Sequence, residues 1–188
     1  MKRVSRELRI IAGAHRGRKI RFPDVQQIRP TPDRVRETLF NWLAPQIIGA
    51  RCLDLFAGSG ALGLEALSRG AASVVFVERD ATAAAGIRGC LVEWQVTGGE
   101  VLTTDALQFL AGAPRPFDIV FLDPPFAGDL LERAAEPLER FLAPDGAIYV
   151  EAAAGQDLPS WPSTWQPQRA GKAGEVGYHL LRVVRGKA

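Results

Sequence analysis

The sequence holds two cysteines, Cys52 and Cys90, with no C-x-x-C pairing. It therefore carries neither a disulfide framework nor a thiolate metal site, and it suits a reducing compartment. Cys52, inside the apolar run CLDLF, is expected to be a small buried hydrophobe. Histidine is equally scarce, His15 and His179 alone, and no grouping of His, Cys and Asp has ligand spacing, so no metal is expected. No apolar run approaches the ~18–20 residues needed to cross a bilayer. The amino terminus, MKRVSRELRI, lacks the apolar stretch of a secretory signal. These absences together predict a cytoplasmic protein with no membrane partner. There is no internal repeat, and the Pro/Trp-rich PSWPSTWQP is too short to be more than a loop.

The 188 residues, 47% of them hydrophobic, suffice for one globular domain with a small appendage. The net charge of +2 conceals an asymmetry: residues 1–36 carry +8 and the remainder −6. Basic charge gathered at one end points to a polyanion, because phosphate neutralisation dominates non-specific nucleic-acid binding. A charge run is more often a solvated face. Here apolar residues interrupt it, in LRIIAG and RKIRF, which predicts a folded hairpin over residues 7–22 around the turn AHRG.

RPTPD (29–33) reads as an extended entry to a helix beginning near Pro32 and capped by Thr31 or Asp33. Val35, Leu39, Phe40, Trp42 and Leu43 give that helix an apolar face, with Arg34 and Glu37 off it. From Arg51 strands and helices alternate. RCLDLFA, SVVFVE, EVLTTD, FDIVFLD and GAIYVEA read as strands; ALGLEALSRG, residues 81–97, ALQFLAG and residues 129–141 read as helices. The pattern predicts a doubly wound α/β fold with a mostly parallel sheet. The tail, WPSTWQPQRAGKAGEVGYHLLRVVRG, reads as an antiparallel hairpin closing that sheet.

DLFAGSGALG (54–63) satisfies G-x-G-x-x-G through Gly58, Gly60 and Gly63, a weak signal alone. In such a sheet ligands bind beyond the carboxyl ends of the strands. Asp54, Glu78 and Asp105 fall there in succession. Glu78, twenty positions after Gly58, suits the two ribose hydroxyls, and Asp105 suits an adenine amino group. Asp54 separates two ligands. A carboxylate beside a pyrophosphate is costly, whereas beside a sulfonium and an ammonium it is favourable. S-adenosyl-L-methionine is thus preferred to a dinucleotide.

The deciding stretch is DPPF, Asp123–Phe126, at the end of the fourth strand. An exocyclic amine is a poor nucleophile because its lone pair is delocalised into the base. Asp123 and the Pro124 carbonyl, stiffened by Pro125, can accept its two N–H groups, while Phe126 offers a stacking face worth ~1–3 kcal/mol.

D-x-F-A-G-S-G followed by D-P-P-F resembles the Rossmann-like S-adenosylmethionine-dependent methyltransferases of exocyclic amines. More narrowly, RIIAG, RPTPDRVRETLFNWL, CLDLFAGSGALGLEALSRGA and FLDPPF resemble the RsmD family of bacterial 16S ribosomal RNA guanine-N2 methyltransferases. The resemblance runs from about residue 8 to the end. It departs at Pro32, where a second Thr is expected, and at His15, where a Trp is expected. It implies a seven-stranded sheet and methyl transfer to one guanosine of 16S ribosomal RNA. The implied partners are the small ribosomal subunit or its assembly intermediate, with neighbouring ribosomal proteins, and the chain is expected to be a monomer.

The expected division is a basic hairpin over residues 1–30, contacting RNA, and a catalytic domain over 31–188. The expected donor site comprises Asp54, Phe56, Ala57, Gly58, Ser59, Gly60, Glu78, Arg79, Asp105, Ala106 and Asp123. The expected catalytic set is Asp123, Pro124, Pro125 and Phe126. For RNA the candidates are Arg3, Arg6, Arg9, His15, Arg16, Arg18, Lys19, Arg34 and Arg36, with His15 serving equally as a turn residue. His179 and the four tryptophans default to packing.

Three rivals stand beside this reading. A DNA adenine-N6 or cytosine-N4 methyltransferase would share D-P-P-F, but this chain has little room for a target-recognition domain. A non-catalytic RNA-binding assembly factor would not need Asp54, Glu78 and Asp123 together. A small-molecule methyltransferase leaves the +8 arm unexplained. Neither cysteine follows a proline, which argues against the covalent thiolate route of C5-cytosine enzymes.

Overall fold

The computed structural model describes residues 5–23, 31–125, 129–155 and 161–184. The predicted hairpin is present: β1 (Ser5–Arg9) pairs antiparallel with β2 (Lys19–Pro23). There follow α1 (Asp33–Leu43), β3 (Arg51–Asp54), α2 (Ala61–Ser68), β4 (Ser73–Glu78), α3 (Ala81–Glu93), β5 (Gly99–Thr103) and α4 (Ala106–Ala111). The chain continues through β6 (Phe117–Leu122), α5 (Leu130–Leu138), a 3-10 turn, β7 (Leu142–Ala153), β8 (Trp165–Ala173) and β9 (Val176–Val183).

Seven strands form one sheet in the order β5-β4-β3-β6-β7-β9-β8. β3 to β7 run parallel, and β9 and β8 close the sheet antiparallel. The order reverses between β3 and β6, which makes their carboxyl ends the switch point where such sheets hold ligands.

Alternation along the central strands divides the core in two. Cys52, Val74, Phe76, Ile119, Phe121 and Tyr149 face one side, under α1, α2, α3 and the hairpin residues Ile10, Ile20 and Phe22. Leu53, Val75, Val120, Leu122, Ile148 and Val150 face the other, under α4 and α5. Strands apolar on both faces are what a parallel sheet covered by helices requires. Cys52 is fully buried, as expected of a small hydrophobe.

Two expected boundaries differ. α3 stops at Glu93 rather than reaching 97, because Gln95 is left-handed (φ 55°) and Val96 N–H returns to Leu91 O at 2.9 Å. This is the two-bond closure that ends many helices. At the start of α1, neither Thr31 nor Asp33 caps: Pro32 occupies the cap with no side-chain bond. Thr31 instead donates to Glu151 Oε1 at 2.6 Å, and Asp33 accepts from Arg36. A buried carboxylate has no water to donate to it, so it claims the hydroxyl that a solvated helix end can spare.

Candidate active site at the carboxyl edge of the sheet

Register brings the acidic residues together. Asp54 lies opposite Phe121 across β3 and β6, so Asp123 projects two residues beyond it. Leu122 pairs with Val150, which sets Glu151 beside Asp123. On the other flank, Asp54 pairs with Phe76 and Glu78 ends β4 two residues later. Sharing their side with Cys52, Phe121 and Tyr149, the carboxyls of Asp54, Asp123 and Glu151 gather under α1 and α2.

Between β3 and α2 the chain turns through Phe56, Ala57, Gly58, Ser59 and Gly60. Ala57 N–H donates to Val77 O at 3.0 Å, and Gly60 N–H to Ala57 O. Gly60 is left-handed (φ 77°), and a Cβ there would stand 2.9 Å from Ile87 Cγ1, so glycine is needed for both conformation and space. Glu78 braces the turn: Oε2 accepts from Gly58 N–H and Oε1 from Asp80 N–H, each at 2.7 Å. Each oxygen keeps a second lone pair for a hydroxyl donor. Arg79 follows it at the edge. Asp105 caps α4, accepting from Leu107 and Gln108, with Ala106 buried behind it.

Asp54 is 2% exposed and accepts from Gly63 N–H at 3.0 Å. Burial pushes its carboxyl up to about 7, against the pull of that bond and with the Glu78 charge adding to it. Asp123 is raised well above the usual carboxylate range by burial, then by Glu151 and Asp54, with Thr31 opposing. Burial also raises Glu151, which Thr31 and Tyr149 stabilise; Tyr149 OH donates to Glu151 Oε1 at 2.9 Å. Among the described residues no Lys, Arg or His forms an ion pair with any of these three carboxyls.

Such a pocket fits a cationic nucleoside and repels a pyrophosphate. At the amino end of α2, where a dinucleotide would set its phosphates, a buried carboxylate already receives Gly63 N–H. The residues present therefore suit S-adenosyl-L-methionine.

Pro124 is buried and Pro125 exposed at the edge beside Asp123. Phe126 and Arg3 lie outside the described residues, and Arg6 is described only as backbone of β1. The remaining basic candidates separate. Arg9, Arg16, Arg18, Lys19 and Arg34 are exposed. Lys19 is paired with Glu7 at 2.8 Å, and Arg18 lies over the Trp94 ring. His15 stacks on Trp94, with ring centroids 5.9 Å apart, and is half-buried.

Arg36 is a correction. Expected to face RNA, it is 0% exposed, donates to Arg9 O and Asp33 Oδ1, and lies 3.6 Å from Glu65 Oε2. Its helix position places it on the covered face, where a buried acid holds it.

The other tryptophans and His179 take packing roles. Trp94 and Trp165 are buried, Trp42 lies against Tyr178, Trp161 stacks on Trp165, and His179 is half-buried in β9. Sequence reasoning passed over Glu151, Tyr149 and Glu65. The available signal was a lone acid within a continuous apolar run, in AIYVEA and in ALGLEAL.

Residues 8–182 match the family model described as conserved hypothetical protein 95. Ribosomal RNA small subunit methyltransferase D of Escherichia coli K12 is 48% identical over 95% of this chain and 91% of its own. The protein of that name from Haemophilus influenzae is 44% identical, over 94% of each. A solved structure of a candidate methyltransferase from E. coli superposes with a TM-score of 0.89, at 46% identity, covering 95% of this chain and 98% of its own. With a match of this extent, the chain belongs to that family, the RsmD family of methyltransferases.

Proposed function

We propose that this protein transfers a methyl group from S-adenosyl-L-methionine to the exocyclic N2 of one guanosine of 16S ribosomal RNA, within the small ribosomal subunit. The observation that carries the reading is the placement of Asp123 and Pro124 at the switch point, beside a cation-seeking pocket. The chain around them is 48% identical to a ribosomal RNA small subunit methyltransferase.

The donor would be held by the 56–60 turn and Asp54, with Glu78 and Arg79 at the ribose and Asp105 and Ala106 at the base. When bound, it supplies an electrophilic methyl on a positively charged sulfur, open to direct in-line displacement. The chain's own contribution is positional. Asp123 and the Pro124 carbonyl accept the two N–H groups of the amine and so orient its lone pair, and Phe126 stacks the base. Pre-organised acceptors and a dry pocket supply the rate, as fixed dipoles do elsewhere. No strong base is needed, because the amine becomes acidic only once substituted; Asp123 or water then takes its proton. A paired target base must first leave its stack.

We read residues 1–30 as an RNA-contacting extension and residues 31–188 as the catalytic unit. Support comes from exposed Arg9, Arg16 and Arg18 on the hairpin, beside a remainder of charge −6.

The test is nucleoside mass spectrometry of ribosomal RNA after incubating small-subunit particles with protein and labelled donor. N2-methylguanosine at one position is expected. Label in adenosine N6 or cytidine N4, or in no nucleoside, would refute the assignment.

A further inference from the structure

The helix that leaves the glycine turn also grips the hairpin. Glu65, on α2 and fully buried, accepts Ile11 N–H at 2.8 Å and Ala12 N–H at 3.0 Å. One turn later, Ser68 Oγ donates to Ala12 O and accepts His15 N–H, while Ser68 O accepts Ala14 N–H at 2.8 Å. Gly13 is left-handed (φ 84°), and a Cβ on it would lie 1.8 Å from Ser68 O. From α1, buried Arg36 reaches Arg9 O at 2.8 Å and stands against Glu65, which Arg69 also pairs at 2.7 Å. The backbone of residues 11–15 is thus fixed on its inner side, immediately before exposed Arg16 and Arg18.

This cluster is poorly arranged for stability alone. Arg36 Nε and Nη1 have no hydrogen-bond partner among the described residues. Buried ion pairs add little over well-packed apolar residues of the same volume. The apolar residues Ile10, Ile20 and Phe22 already bury the hairpin against the core. What they leave undetermined is where the turn points, because hydrophobic contact is non-directional; the hydrogen bonds decide it.

We infer that Glu65, Ser68 and Arg36 are substrate-positioning residues. Through them, the carboxyl-terminal end of α2 holds the basic turn near the amino edge of the sheet, one helix length, about 12 Å, from the glycine turn, so that RNA engaged by Arg16 and Arg18 is aligned along this side of the molecule with its base toward Asp123. The inference rests on the RNA reading above. None of the three residues touches the reacting amine.

The experiment is steady-state methyl transfer to purified small-subunit particles by wild type, Glu65→Gln, Ser68→Ala and Gly13→Ala, with donor affinity measured by calorimetry. A mispositioned arm should raise the KM for particles about tenfold, the equivalent of ~1.4 kcal/mol of lost binding. kcat should change less than KM does, and donor affinity should change less than twofold. A merely structural role would lower the folded fraction, reducing apparent kcat at unchanged KM. Should Glu65→Gln fail to fold, Ser68→Ala and Gly13→Ala carry the test. Unchanged particle KM in folded variants, with wild type active, overturns this inference alone. Wild type that methylates no particle overturns it together with the RNA reading.

Discussion

Two groups of buried or half-buried acids lie on the same side of the sheet in opposite company. Glu65 is met by Arg36, Arg69 and two backbone amides. Asp54, Asp123 and Glu151 are met by hydroxyls, one amide and one another. Both kinds of burial cost desolvation energy. In the first, cations from the same chain offset it, and the result is a fixed joint between hairpin and helix. In the second, no cation among the described residues pairs with them, and burial with mutual repulsion raises the proton affinity of Asp54 and Asp123. A pocket left in that state favours a ligand that brings the positive charge itself. The difference separates an acid paired with cations from one met only by neutral donors and other acids, without reference to motif.

The largest effect is expected at the paired acid. Glu65→Ala leaves Arg36 buried with the exposed Asp33 as its remaining carboxylate among the described residues, beside Arg9 O, and should cost about 3–5 kcal/mol of stability in denaturant unfolding. Asp54→Asn should cost little, or stabilise. Equal losses for the two would erase the distinction.

Asp54 also makes a pH prediction. Burial pushes its folded carboxyl up to about 7 against an ordinary 3.8, so between those values the folded state holds a proton that the unfolded state has released. The contribution of this group to stability is therefore full below about pH 4, falls as pH rises toward 7, and is lost above it. The full drop is about 4 kcal/mol from this group. Thermal or denaturant unfolding of the ligand-free protein across pH 4–8 should show the slope, and Asp54→Asn should reduce it. A rise in stability over that range, unchanged in the variant, would contradict the account.

Third in size, Asp123→Ala should reduce methyl transfer by roughly 100-fold or more, the scale for losing one pre-organised group at a reacting centre. Donor affinity should be largely kept. Near-normal turnover in a tritiated-methyl assay would remove the amine-acceptor role. The smallest effect concerns the hairpin. Arg16→Ala and Arg18→Ala should each flatten the slope of log K against log salt for particle binding by about 0.7–0.9. Lys19→Ala should do less, because Glu7 already neutralises it. Parallel lines for all three would leave the turn of the hairpin without a phosphate contact.

Most of the fold was legible from period and punctuation. Apolar runs of strand length alternating with helical repeats imply a doubly wound sheet, and each run from RCLD to YVEA became a strand. Of the candidate site, the positions carried by local motif were legible: the glycine turn, Glu78 twenty residues on, and Asp123 at a strand end. The residues that escaped are those whose role depends on a partner far along the chain. Thr31 reads as a helix cap and becomes a donor to Glu151, 120 residues away. Arg36 reads as surface charge beside Arg34 and becomes a buried link. Glu65 and Glu151 sit in apolar runs, and only the neighbours reveal whether such an acid is paired or bare.

By itself, the amino-acid sequence determined the alternation of elements, the glycine turn that no other residue type accommodates, and the order in which acids reach the strand ends. Steric limits on φ and ψ and the periods of helix and strand are local, so local sequence expresses them. Tertiary structure alone decided which buried charges would have partners. Desolvation and Coulomb energies depend on what surrounds a group in space, and for Asp54, Glu65 and Glu151 those surroundings come from distant segments of the chain.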